Sequence, residues 1–147
     1  MNSPRQDLAG TFDYVWQRFR RRMDGLGDAE WRWQPTADDR VTLAWRLRHI
    51  ADLLSEDRNS AWLGVVGDDL PRPAPSTAGE ALADVERGHE HLASLLRRTT
   101  EASLAEPIGA VAGGYGGATR FSFALHLLDE FIHHTAEAAL LRDLYPG

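Results

Sequence analysis

Along four stretches of the chain, apolar residues recur every three or four positions, and nowhere do they alternate convincingly with polar ones as a strand requires. The first helix is expected over about Asp7 to Leu26. Leu8, Phe12, Val15, Trp16, Phe19 and Met23 share one side of it, and Arg18, Arg20, Arg21 and Arg22 lie mostly on the other. Gly25 and Gly27 end it, and the arginines fit a solvated face near a helix C-terminus. A connector, Asp28 to Arg40, carries Trp31 and Trp33, which are expected to cover one end of the fold. Thr42 reads as the N-cap of a second helix, Leu43 to Gly64. The segment VVGDDLPRPAPST at 65–77 holds three prolines and cannot be helical throughout. Thr77 with Glu80 forms a capping box for a third helix, Ala78 to Glu101. A glycine-rich loop, GAVAGGYGG at 109–117, is read as a hinge or lid. It lacks the Gly-Lys-Ser/Thr ending of a phosphate loop. The fourth helix runs from Arg120 to Leu144. The pattern predicts an all-α four-helix bundle, with a long crossover that lets helix 3 run parallel to helix 2.

At 147 residues the chain is expected to form a single domain, residues 1–147. Its sixteen basic residues are all arginine; against 22 acidic residues they leave a net charge of −6, which disfavours a nucleic-acid partner. Cysteine is absent, so disulfides, thiolate metal sites and cysteine nucleophiles are excluded. No apolar run approaches the length of a membrane span, and the N-terminus lacks the apolar core of a signal peptide. The expectation is a cytoplasmic protein with no membrane partner, in which any metal is held by histidine and carboxylate.

The fourth helix carries His126, Glu130 and His134 at spacings of four and four, so the three lie along one line of its surface. Phe123, Leu127, Ala138 and Leu141 fall in the same half of the helical wheel, which sets this polar line in a face that ought to be core. Burying a carboxylate there is costly unless a cation or proton compensates. Imidazole and carboxylate one turn apart suit zinc, nickel or ferrous iron, given a further ligand from another helix. His49, among Leu47, Ile50 and Leu53, is the candidate. Spacing alone leaves open a hydrogen-bonded core histidine and an incidental surface pair.

The segments WRWQPTADDRVTLAWRLRHIADLL and HLLDEFIHHTAEAALLRDLY resemble the two halves of a DinB-like domain, in the same order and over nearly the whole chain. The resemblance implies a four-helix bundle with a long crossover between helices 2 and 3, and one divalent metal. The ligands so implied are His49 from helix 2 and Glu130 and His134 from helix 4. A Glu–His pair at the last two positions is similar to the mycothiol-dependent, maleylpyruvate isomerase-like branch. That branch often continues with Gly-His, where this chain has Thr135-Ala136-Glu137. His126 is expected beside the ligands, orienting one or shuttling protons, and His133 is expected to face solvent or a dimer partner.

The implied chemistry is a metal, zinc foremost, that activates a thiol or a water molecule. A low-molecular-weight thiol cosubstrate gives S-transfer or isomerisation of a small-molecule substrate, and water gives hydrolysis. A non-enzymatic, stress-response binding protein is the alternative. Arg120 and Arg142 are candidate partners for a substrate carboxylate, Glu137 lies near the rim, and a homodimer is open through Phe12, Trp16 and Phe19. A di-iron site through Glu86-x-x-His89 and Glu130-x-x-His133 finds Glu56 on the second helix but only Asp7, Asp13 and Asp24 on the first, near its ends or outer face. His89 and His91 are expected on an outer, charged face.

Overall fold

The computed structural model describes residues 1–147 and is helical, without a β-sheet. Four long helices build the frame: α1 (Pro4–Arg22), α3 (Leu43–Ser55), α5 (Ala78–Arg97) and α7 (Arg120–Leu144). Three short ones, α2 (Asp28–Arg32), α4 (Arg58–Leu63) and α6 (Glu101–Ala105), fill connections, and a 3-10 segment spans Ala110–Tyr115. The long connection between Val65 and Ser76 contains no helix, as its prolines require. The expected bundle with a crossover before its third long helix is therefore the observed architecture.

Caps fix where the helices begin. The hydroxyls of Thr42, Thr77 and Thr119 accept from the backbone N–H groups of Trp45, Glu80 and Ser122. Each such cap is worth about 1 kcal/mol. The first helix starts earlier than the apolar spacing indicates, because Ser3 and Gln6 form a capping box around Pro4. It also ends sooner, at Arg22.

The second stretch does not continue to Gly64. It breaks after Ser55, where Glu56 adopts φ −56°, ψ 136°. The side chain of the fully buried Asn59 donates to the Leu53 carbonyl, which the helix end leaves without an intrahelical partner. The break turns α4 so that Trp62 meets Phe123, ring centroids 4.9 Å apart. Likewise the third stretch ends near Arg97, and Thr100 and Ser103 cap each other to start α6.

A core of 29 buried hydrophobic residues joins the helices. Phe12, Trp16 and Phe19 belong to it, so these three aromatics of α1 are core and not an exposed dimer face, while Tyr14 is exposed. Trp31 is buried against this core from the connector, while Trp33 sits half-buried beside Tyr145 at the chain end.

Arginines staple the connections. Arg72 of the crossover reaches the buried Asp84 of α5 and Asp52 of α3, and Arg48 joins the same carboxylate of Asp84. Arg142 forks onto Glu30 of α2 at 2.9 and 3.0 Å and also donates to the carbonyls of Arg22 and Asp24. Arg120 donates to the Ser103 carbonyl and packs against Gly64, where any Cβ would fall 2.3 Å from its guanidinium carbon. Both residues considered as substrate-carboxylate partners thus hold the chain's own connections.

His89 is a further correction. It lies inside the fold, 9% exposed, with its ring stacked between Trp16 and Phe131. Glu86, Glu90 and His91 surround it in sequence and are charged or polar. Val85, His89, Leu92 and Leu96, however, are spaced four, three and four, which is the buried stripe of α5. Glu86 and His89 join no cluster of metal-binding side chains, so no di-iron site assembles.

Candidate metal centre

α3 and α7 pack against each other and each contributes to one polar cluster inside the bundle. On α7 the buried stripe runs Phe123, Leu127, Phe131, His134, Ala138 and Leu141. His134 occupies a core position in this series. Glu130 stands one turn before it and nearer the surface, its side chain 36% exposed. On α3, Leu47, Ile50, Ala51 and Leu54 are fully buried, and half-buried His49 flanks them on the side facing α7.

The geometry converges on the Nε2 atom of His134. Nε2 of His49 lies 3.0 Å from it, and Oε2 of Glu130 also lies 3.0 Å from it. The donor atoms of all three residues fall within 4.8 Å of one another. The two imidazoles meet edge to face at 84°. Trp45 stacks on His49 at 4.7 Å and 15°, which fixes that ring's orientation. Burial, and then the neighbouring His134, hold the His49 pKa below the ordinary histidine value. The neutral ring, the form that ligates metals, is thereby favoured.

Glu137 completes the arrangement from the opposite side. Its Oε1 lies 2.7 Å from Nδ1 of His134, and its Oε2 pairs with Arg46 at 3.0 Å. A carboxylate held by arginine accepts a proton donor, so Nδ1 carries the hydrogen and Nε2 of a neutral His134 presents a lone pair. That lone pair faces a carboxylate oxygen and a second imidazole nitrogen at hydrogen-bond distance. A proton on His49 satisfies one of these contacts and leaves the other as two acceptors in opposition, whereas a proton on Nε2 of His134 would be shared between Glu130 and His49. A divalent cation satisfies all three donors together. Bonds of about 2.1 Å at 90–110° place donor atoms roughly 2.9–3.4 Å apart, and the 3.0 Å contacts lie within that range. The donor set therefore fits a borderline metal such as zinc, nickel or ferrous iron.

His126 and His133 are placed elsewhere. His126 is exposed, one turn before Glu130, and lines a cleft of about 340 Å³ beside Trp62 and Phe123. It is not among the grouped donors. His133 is exposed and contacts Glu137 at 3.0 Å. The polar line on α7 thus descends from solvent at His126, through half-buried Glu130, to buried His134, so its upper part does not lie in the core as expected. Glu137, anticipated only near the rim, is the residue that orients His134. Its position three after that histidine was the available signal.

A bundle of long helices with two histidines and a glutamate converging from α3 and α7 is one defined class, a helical scaffold with an internal candidate metal centre. The DinB superfamily profile matches residues 11–138, and the chain belongs to that superfamily. No curated protein and no solved structure matches the chain. No helix is long and apolar enough to cross a membrane.

Proposed function

We propose that the protein is a metal-dependent enzyme in which His49, Glu130 and His134 hold one divalent ion, zinc foremost. The observation that carries this reading is the approach of Nε2 of His49 and Oε2 of Glu130 to within 3.0 Å of Nε2 of His134, whose Nδ1 is already engaged by Glu137. Bound there, the ion supplies Lewis acidity that brings the pKa of a water or thiol toward neutrality.

The chain's own residues prepare that chemistry. Glu137 pairs with Nδ1 of His134 and so orients the ring with Nε2 aimed inward. Arg46 anchors the other oxygen of Glu137 and so fixes the carboxylate's position. Trp45 and the core around Phe131 exclude water from the rear of the centre. The partly exposed side of Glu130 leaves an approach for a small molecule. Three protein donors with one open side match a catalytic site; a structural site closes with four.

The favoured reaction class is thiol-dependent transfer or isomerisation, with a low-molecular-weight thiol as cosubstrate and hydrolysis as the second reading. Metal analysis of protein purified without added metal is expected to give close to one equivalent, absent from His134→Ala. Equal content in the two proteins refutes the ligand set. An electrophile assayed with and without several small thiols separates the two chemistries. Thiol-dependent turnover supports transfer, and product formed with water alone supports hydrolysis.

A further inference from the structure

The glycine-rich segment and the broken second helix have no role in holding the candidate metal centre, yet together they build the cleft beside it. The loop folds back on itself: Ile108 N–H donates to the Ala118 carbonyl and Gly109 N–H to the Gly116 carbonyl, both at 2.9 Å. Gly109 at φ 95° and Gly113 at φ 55° make this path accessible, since side chains rarely adopt such angles. Gly116 sits so close to the Gly109 carbonyl that a Cβ would fall 2.5 Å from that oxygen. The result is a fixed loop that carries Tyr115 to Trp62, ring centroids 6.3 Å apart. Phe123 of α7 closes the other side of Trp62.

Arg58 lies over this aromatic group, 4.8 Å from the Trp62 ring and 5.5 Å from Phe123. Its Nε meets Glu56 at 2.7 Å, and its two terminal nitrogens make no hydrogen bond within the chain. The remaining polar groups at the cleft are the Tyr115 and Ser122 hydroxyls and the His126 imidazole. No aspartate or glutamate lines it, in a chain that carries 22 of them against 16 arginines. Its volume, about 340 Å³, falls within the range of small-molecule sites. His126 connects it to the neighbouring centre, because Glu130 follows one turn later, roughly 6 Å along the helix axis.

We infer that this cleft binds an aromatic carboxylic acid, its ring against Trp62, Tyr115 and Phe123 and its carboxylate on the terminal nitrogens of Arg58. Apolar walls and a stacked, partly desolvated guanidinium select for a flat ring with a negative end. A neutral ring loses the ion pair, and a small anion loses the stacking. As a substrate subsite the assignment rests on the proposed metal-dependent activity; as a binding site it stands alone.

Calorimetric titration of the full chain with 2-naphthoate, 2-naphthamide and acetate tests it. Saturable 2-naphthoate binding is expected, weakened about tenfold by Arg58→Gln and by Trp62→Ala, with 2-naphthamide and acetate at least tenfold weaker on the unaltered protein. Arg58 is exposed, so Arg58→Gln keeps the test valid if Trp62→Ala does not fold. Gly116→Ala, which displaces Tyr115, weakens 2-naphthoate binding as well. Equal affinity for acid and amide, or an unchanged affinity in Arg58→Gln, overturns the inference. Metal content of the same preparations separates the two proposals. Binding of 2-naphthoate to metal-free protein and to His134→Ala supports the cleft whatever becomes of the metal site. One equivalent of metal without 2-naphthoate binding removes the cleft and leaves the metal reading standing.

Discussion

Two histidines, His89 and His134, are nearly equally buried, at 9% and 8% exposure, yet their surroundings differ in kind. His89 is stacked flat between aromatic rings, Trp16 at 4.9 Å and Phe131 at 6.2 Å. It makes no hydrogen bond to another side chain. His134 has a carboxylate on each ring nitrogen and a second imidazole 3.0 Å away. Phe131 separates the two in the core, three residues before one and stacked on the other. Burial of a histidine is therefore not by itself the mark of a site. The difference lies in whether carboxylate and imidazole groups meet the ring nitrogens, or aromatic faces cover the ring. The first environment suits the proposed cation, and the second disfavours charge on a ring that serves as a piece of core.

The comparison breaks most decisively at the metal. His134→Ala is expected to abolish binding of one equivalent of zinc in a chelator-competition titration, and His89→Phe to leave it intact. Comparable loss in both variants would mean that the core as a whole, not the donor set, determines metal content. Next in size is Glu137→Gln. The amide retains the shape but can no longer accept from Nδ1 as a charged partner, so zinc affinity should fall by about 10- to 100-fold with stoichiometry preserved. An unchanged affinity would show that Glu137 serves Arg46 and helix packing rather than the orientation of His134.

Much of this contrast could be read along the chain, and what could not has a physical cause. The frame was legible because caps and stripes are local: Thr42, Thr77 and the limits of α7 lie where the sequence places them. The break after Ser55 was not, because no glycine or proline marks it and it depends on Asn59 reaching back to Leu53 from a buried position. The convergence of His49 with Glu130 and His134 joins residues 85 positions apart, and it was reached through family resemblance rather than spacing. Glu137 could have been found three residues beyond His134. Arg142 could not, since Glu30 stands 112 positions away in sequence. His89 lies where the stripe through Val85 and Leu92 puts it, although Glu86 and Glu90 near it in sequence are charged.

A smaller effect sharpens the other side. His89→Ala removes the ring between Trp16 and Phe131 and is expected to cost about 2 kcal/mol in urea unfolding, while zinc stoichiometry stays at one. His89→Phe, a planar apolar ring in the same slot, should recover most of that loss. Failure of phenylalanine to recover it would point to a polar role for His89 that its stacked geometry does not provide.

The smallest expected effect is the pH dependence that His89 imposes on folding. Burial is the main cause holding its pKa below the ordinary histidine value, and Asp13 of α1 and Glu86 of α5 oppose that shift only in part. Arg5 and Arg97 line the same surface cleft beside it. The folded protein therefore resists protonation at a pH where the unfolded chain accepts it. Stability is complete above the ordinary value near 6.5 and declines as the pH falls through it. The decline stops once the folded state also takes the proton. Its slope cannot exceed about 1.4 kcal/mol per pH unit for one group. Because the chain carries five other histidines, the measurement is a difference. Unfolding free energies of metal-free wild type and His89→Phe are compared between pH 8 and pH 5. The wild type should lose more stability than the variant over that interval, with the gap opening below about pH 6.5. Parallel curves would mean that the stacked ring accepts a proton as readily as a solvated one. The aromatic slot would then be no barrier to charge, and the distinction between the two histidines would rest on the donors around His134 alone.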